Sequence, residues 1–299
     1  MAGFSDFLSD DLMRRLDHLA LGSRWAAEGG RAGKHRSPLK GASVEFADHR
    51  NYVQGDSLRH MDWKVYGRSE RFYLKQFQEE TSLRTHIVLD ASASMSYSHA
   101  GRQSKFTYAR TLAAAFAYLM EHQQDAVGLV VYDDEVRELL PAKNGMRHTR
   151  QFLERLEAHH PRGRTDTHKA LHALAAGISR RGLVVMLSDL LDDPDAIHAA
   201  IAHFRRRGND VLLIQILDPA ELDLPFDDVS DFIDLETDER LEVDPVALRG
   251  AYREEIGRAM DDCRGRCAAL RVDYRLVTTD TPPMEFLQAL LSERGRLGA

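Results

Sequence analysis

From residue 85 onward, short apolar runs alternate with longer segments of helical spacing, and few architectures accommodate that order. The run His86-Ile87-Val88-Leu89-Asp90 is too short for a helix and apolar through its centre, as a parallel strand buried on both faces requires. Residues 183–187 repeat the pattern, and further strands are expected over 211–217 and 273–277. Helices are expected over 105–122, 147–159, 167–180, 194–207, 245–270 and 283–293; Pro194 opens one of them at a first-turn position that tolerates proline. Residues 126–132 and 135–140 read as two strands joined by a tight turn at Asp133-Asp134, and 232–235 with 240–243 as a short hairpin. Strands alternating with helices pack as a sheet covered on both faces. The expectation is an α/β fold with a doubly wound, mostly parallel, Rossmann-like sheet flanked by helices.

Two shorter regions precede this domain. Phe4, Phe7, Leu8, Leu12, Leu16, Leu19 and Leu21 recur at helical spacing behind Ser5 as a cap, and residues 22–42 are rich in Gly, Ala, Arg and Lys without periodicity. Residues 43–80 mix aromatics with charges, and 72–77 alternate as a strand does, so a small β-containing region is expected there, with Trp63 as a core anchor. The expected organisation is a helix and basic linker over 1–42, a small β-containing subregion over 43–82, and the α/β domain with a C-terminal extension over 83–299.

Hydrophobic residues at 43% and charged residues at 29% suit a globular chain with a full core. No apolar run reaches the roughly 18 residues of a membrane-spanning helix, and the acidic first ten residues lack the basic start of a signal peptide. A cytoplasmic protein without membrane contact is expected. Cys263 and Cys267, four apart, lack the second ligand pair of a structural zinc site and are expected as reduced thiols. The net charge of −7 is unevenly placed: residues 218–244 hold twelve acids against Arg240 alone. That segment reads either as a solvated edge or as a docking surface for a basic partner.

Ligands of open α/β sheets bind beyond the carboxyl ends of the strands, where strand order reverses. Asp90-Ala91-Ser92-Ala93-Ser94 follows the first buried strand, Ser188-Asp189 follows the 183–187 strand, and Gly163-Arg164-Thr165-Asp166-Thr167 opens the helix between them. Together these pieces resemble the metal-ion-dependent adhesion site of the von Willebrand factor A superfamily, built from an Asp-x-Ser-x-Ser segment, a distant Thr and a distant Asp. Residue by residue, the pattern falls on Asp90, Ser92, Ser94, Thr165 and Asp189. The resemblance implies a von Willebrand factor A-like fold and a bound Mg²⁺, with Mn²⁺ or Ca²⁺ as alternatives. Mg²⁺ takes about six oxygen ligands. Hydroxyls add no charge, so two carboxylates leave the ion electrophilic enough to accept an Asp or Glu from a partner. Asp90→Ala is accordingly expected to remove a surface ligand and leave the fold intact.

A second resemblance lies upstream. Glu45-Phe46-x-x-x-Arg50-x-Tyr52-x-x-Gly55-Asp56-x-x-Arg59-x-x-Asp62-Trp63 looks like the signature of the bacterial family called domain of unknown function fifty-eight. With the domain behind it, the resemblance covers about residues 41–220. Members are typically encoded beside MoxR-type AAA ATPases and are thought to act with them as adaptors in assembling or maturing other proteins. Many carry N-terminal membrane helices, which are not expected here. The implied partner is a MoxR-type AAA ATPase, or its client presenting an Asp or Glu. Arg50, Asp56, Arg59 and Asp62 read as an ion-pair and hydrogen-bond network, or as part of a partner surface.

Three other functions fit these residues less well. Haloacid-dehalogenase-like hydrolases also place an Asp nucleophile where Asp90 stands, but the acid two residues on that would protonate the leaving group is Ser92 here. A Ser-His-Asp hydrolase lacks its Gly-x-Ser-x-Gly elbow. Nucleic-acid binding rests only on Arg31, Lys34, Arg36 and Lys40 in the linker, against an acidic chain. Binding of a protein partner, rather than catalysis, is the expectation.

Overall fold

A computed structural model describes residues 2–19, 45–51, 61–69, 72–78, 83–164 and 181–297. The chain forms two compact units, one of which takes in residues 24–82 and the other most of the remainder. In the smaller unit, β1 (Glu45–Asn51) pairs antiparallel with β2 (Tyr73–Gln78), and α2 (Trp63–Ser69) lies between them in sequence; α1 (Asp10–Leu16) belongs to the larger unit. Asp62 caps α2: its Oδ1 accepts the Val65 N–H at 3.2 Å, while its own N–H donates to the Tyr73 carbonyl of β2 at 2.9 Å. Asp62 therefore ties helix to strand through its backbone and cap. Trp63 is not the expected core anchor. As the first residue of α2 it is 62% exposed and packs edge-on to Tyr66, which stacks on Phe72 at 4.6 Å. Asp56 and Arg59 lie outside the described residues, as do the whole linker over 22–42 and the helix expected over 167–180.

The larger unit is the doubly wound sandwich. Its strands are β3 (Arg84–Asp90), β4 (Ala126–Tyr132), β5 (Val136–Lys143), β6 (Leu183–Ser188), β7 (Asp210–Leu217) and, after a separate hairpin of β8 (Ser230–Ile233) and β9 (Arg240–Val243), β10 (Asp273–Thr278). The sheet order is β10-β7-β6-β3-β4-β5, parallel throughout except for the β4–β5 hairpin at one edge. This is the expected doubly wound, mostly parallel α/β fold. Alternation along the strands divides the core in two. Ile87 and Leu89, with Leu129, Val185 and Ile214, face one cluster, whereas Val88, Val130, Val184, Met186 and Leu213 face the other.

The first cluster is built around α3 (Lys105–His122), capped by Ser104 and buried on nearly every side. Its alanines let it sit close against the sheet, and its all-round burial matches its all-round apolar sequence. α4 (Met146–Ala158) and α8 (Pro283–Leu297) flank it; α5 (Pro194–Arg206) and α7 (Pro245–Ala269) cover the opposite face, with the short α6 (Pro219–Asp223) after β7. The N-terminal segment joins the first cluster instead of standing apart with the linker: Leu8, Leu12 and Leu16 are buried there, and Tyr118 Oη donates to Asp17 at 2.6 Å. One helix was expected over residues 4–21. The chain instead makes a 3-10 turn, Phe4–Asp6, and then α1, because Ser9 accepts the Leu12 N–H and places Asp10 and Asp11 in the first turn, where acids are favoured. Among the described residues no helix is long and apolar enough to cross a membrane.

Two outcomes follow. Leu16→Ala, at a position with no exposure, is expected to cost about 2–5 kcal/mol in urea denaturation; a neutral result would place α1 outside the cooperative unit. His86 sits on β3 with Nδ1 buried and without a hydrogen-bond partner among the described residues, and burial, helped by Arg84, lowers its pKa to about 4. The unfolded chain takes up this proton near pH 6.5 and the folded chain only near pH 4. Stability is therefore expected to fall as pH drops from 6.5 to 4, by about 3 kcal/mol from this residue. His86→Gln should flatten that limb in denaturation curves at pH 4.5 and 7, and an unchanged slope would assign the acid sensitivity to other groups.

Candidate metal centre at the carboxyl edge of the sheet

The chain leaves β3 toward β4 and β5 on one side and later returns to β6 and β7 on the other. The loops after two adjacent strands thus diverge and leave a crevice between them. Asp90 ends β3, Ser188 ends β6 and Asp189 follows it, so strand pairing brings two of the sequence-predicted acids to one edge.

Asp90 is 1% exposed and fully engaged. Its Oδ1 accepts the Ser92 N–H at 2.9 Å; its Oδ2 accepts the hydroxyls of Ser188 at 2.6 Å and Tyr132 at 3.3 Å. Burial, and then the charge of Asp189, push its carboxyl up to about pKa 7. The expectation that Asp90 is a surface ligand is therefore corrected. Replacing it by Ala would strip two buried hydroxyls of their acceptor, so Asn, of nearly the same volume, is the informative substitution.

The Ser92 and Ser94 hydroxyls lie 3.0 Å apart, Ser92 standing at the N-cap position of the 3-10 turn Ala93–Ser96 without a side-chain bond to it. Two backbone bonds flank Ser92: Ala93 N–H donates to the Gly163 carbonyl at 3.0 Å, and Arg162 N–H to the Ala91 carbonyl at 2.8 Å. The turn there needs glycine, since Gly163 has φ +75°. The approach to Thr165 is thereby pinned against the serine loop; Thr165 itself lies outside the described residues.

Asp189 is held from three sides. Leu191 N–H donates to its Oδ1 at 3.2 Å, Gln215 Nε2 to its carbonyl at 2.9 Å, and Lys105 Nζ to its Oδ2 at 2.7 Å. Leu190, between the two donors' loop and the strand, adopts φ +59°, a left-handed conformation unusual for leucine, and its N–H is tied to Ser188 Oγ at 3.0 Å. Lys105 has no exposure and also donates to Glu221 Oε1 at 2.5 Å. Burial alone would lower the Lys105 pKa, but Asp189 and Glu221 outweigh it and hold the ammonium above its ordinary value.

Lys105 and Glu221 were not found from the sequence. A signal existed for the lysine: it follows the N-cap Ser104 as the first residue of α3, where the helix dipole disfavours a cation, so an acid nearby had to hold it. Glu221 was hidden inside the acidic segment. There Asp218 and Glu221 form the capping box of α6 and turn inward, Asp218 also accepting from His99 N–H and Thr279 Oγ1 at 3.2 Å each, whereas Asp223, Asp227, Asp228, Asp231 and most other acids of the segment are exposed.

The residues fit a hard divalent cation. Asp90 is a buried carboxyl beside a second acid, and the donors described around it are a backbone N–H and two hydroxyls, so a cation would supply the positive charge that these donors lack. The candidate ligands are carboxylate and hydroxyl oxygens, the set that suits Mg²⁺ better than zinc. Among the described residues no three His, Cys, Asp or Glu side chains gather into a metal cage.

The chain is 28% identical over 254 residues to Uncharacterized protein Rv1480 of Mycobacterium tuberculosis (strain ATCC 25618 / H37Rv), covering 81% of this chain and 78% of that one. The same figures hold for Uncharacterized protein Mb1516 of Mycobacterium bovis. Similar solved structures include the conserved hypothetical protein BatB from Bacteroides thetaiotaomicron, with a TM-score of 0.48 at 17% identity over 72% of this chain and 98% of that one. An aerotolerance-related membrane protein from Bacteroides fragilis NCTC 9343 gives 0.48 at 19% over 72% and 99%, and the SpRpn10 VWA domain 0.40 at 10% over 70% and 95%. Residues 48–262 match the model of the family described as "Protein of unknown function DUF58". That span exceeds half of the chain, which therefore belongs to this family.

Proposed function

We propose that the chain is a protein-docking module that works through a divalent metal ion and does not itself catalyse a reaction. Asp90, Ser92, Ser94, Thr165 and Asp189 would hold Mg²⁺, or Mn²⁺ or Ca²⁺ in its place. When bound, the ion supplies an electrophilic position that an Asp or Glu of a partner protein completes. The chain's own residues do the rest. Ser188 and Tyr132 orient the Asp90 carboxylate, the Gly163 carbonyl fixes the serine loop, and Gln215 holds the Asp189 backbone.

The observation that carries this reading is the convergence of a buried Asp90 and a buried Asp189 beside two paired serine hydroxyls at the switch point of the sheet. The arrangement does not match a phosphohydrolase of the haloacid-dehalogenase kind: the position two residues after Asp90, where such an enzyme needs its acid, is Ser92, whose hydroxyl pairs with Ser94. The resemblance to the MoxR-associated family supplies the partner in this proposal: a MoxR-type AAA ATPase, or a client protein of it, with this chain as the cytoplasmic adaptor.

Calorimetric titration of chelator-stripped protein with Mg²⁺ and Mn²⁺ tests the site. The parent is expected to show saturable binding and Asp90→Asn at least a tenfold loss, with the far-UV circular dichroism of the variant unchanged. Equal binding by a folded Asp90→Asn protein would sink the metal-docking idea.

A further inference from the structure

Lys105 is an ammonium with no water to turn to and two acids within reach. Each acid is positioned without it. Asp189 is fixed by Leu191 N–H and by Gln215 on its carbonyl; Glu221 accepts the Asp218 N–H through Oε2 at 2.7 Å, and its carbonyl accepts from Tyr252 Oη at 2.5 Å. The lysine is therefore not needed to place either carboxylate. Its own position, at the dipole-disfavoured first residue of α3, adds nothing to the helix. An ammonium left in such a place with no acid beside it is strongly unfavourable, because a buried charge then lacks any partner. With two acids, it can lose one and still be paired.

We propose that Lys105 is a resident counter-cation of this site: it occupies Asp189 while no divalent ion is bound and yields Asp189 to the ion by retaining Glu221 alone. The inference rests on the metal-docking reading above. It makes Lys105 a residue that sets the site's affinity, and Glu221 the acid that permits the exchange. Ion uptake competes with an internal cation, so the site favours loading when a partner's carboxylate arrives to share the ion.

Calorimetry of the chelator-stripped full chain with Mg²⁺ and Mn²⁺, together with melting temperatures in each ion and in chelator, tests this with variants that shift affinity in opposite directions. Glu221→Gln keeps an acceptor for the Asp218 N–H but removes the acid that retains the ammonium, and is expected to weaken ion binding at least fivefold. The double variant Lys105→Met/Glu221→Gln removes one positive and one negative charge, so the site's formal charge is that of the parent. It is expected to bind at least fivefold more tightly and to gain more melting temperature from Mg²⁺ than the parent does. Adding Asp90→Asn to the double variant should abolish the gain. If the parent binds the ion and the folded double variant binds it equally or more weakly, Lys105 is a structural brace and the inference is overturned while the metal site stands. Should the double variant be unfolded by circular dichroism, Glu221→Gln decides alone, an unchanged or tightened affinity overturning the inference. If parent, double variant and Asp90→Asn all fail to bind either ion, the metal-docking reading falls and this inference with it.

Discussion

Two neighbouring parallel strands, β3 and β6, send their chains away from each other, and that divergence sets the place of Asp90, of the serine loop after it and of Asp189. A crevice opens where the loops part, and the strands that define it are buried on both faces by α3 on one side and α5 and α7 on the other. Where such strands end, the chain changes character within one residue, from Leu89 to Asp90 and from Leu187 to Ser188-Asp189. The hydrophobic alternation fixes the register, the register fixes which side chains meet at the edge, and the edge residues carry the chemistry.

Bringing two acids to a low-dielectric edge is unfavourable unless each finds partners. The chain solves this differently for the two. Asp90 receives neutral donors, the hydroxyls of Ser188 and Tyr132 and the Ser92 N–H, and its carboxyl is left with a raised pKa. Asp189 receives a full positive charge from Lys105. One acid is thus unsatisfied in charge and the other is paired with an internal ammonium. On the proposed function, that asymmetry would leave room for an external cation at Asp90, with Lys105 as its competitor at Asp189.

The parts legible in the sequence were those governed by a single local rule. Buried strands announce themselves by composition, so 86–90 and 183–187 were found with their terminal acids, and the Asp133-Asp134 turn correctly predicted the β4–β5 hairpin. Proline at the starts of α5 and α7 marked their first turns. What escaped depended on a choice between competing local signals or on distant contacts. Phe4 to Leu21 has helical spacing throughout, yet Ser9 with Asp10 and Asp11 makes a better helix start than Ser5 and divides the segment. Trp63 has the size of an anchor, but following the cap Asp62 it opens a helix and lies outward. Lys105 and Glu221 are 116 residues apart and meet only through the fold.

The acidic stretch after β7 shows how one composition can serve two environments. Asp218 and Glu221 are drawn in by the α6 cap and by Lys105, while β8 and β9 place Asp231 directly across from Glu242, two like charges in register and exposed. Such a pair is unfavourable between strands. The hairpin nevertheless stands beside the crevice: Phe232 meets Phe226, Phe226 meets His99 of the loop beyond Ser94, and Arg164 Nε donates to the Glu236 carbonyl at 3.4 Å. A partner that offers a lone carboxylate to an ion at Asp90 would therefore approach past a fixed negative edge and be repelled by it. One that carries basic residues beside its acid would be drawn in by the same edge, and the relief of the Asp231–Glu242 opposition would add to its binding. On the proposed function, the ion would recognise the acid and the hairpin would select its surroundings, so the two features would act as one specificity device.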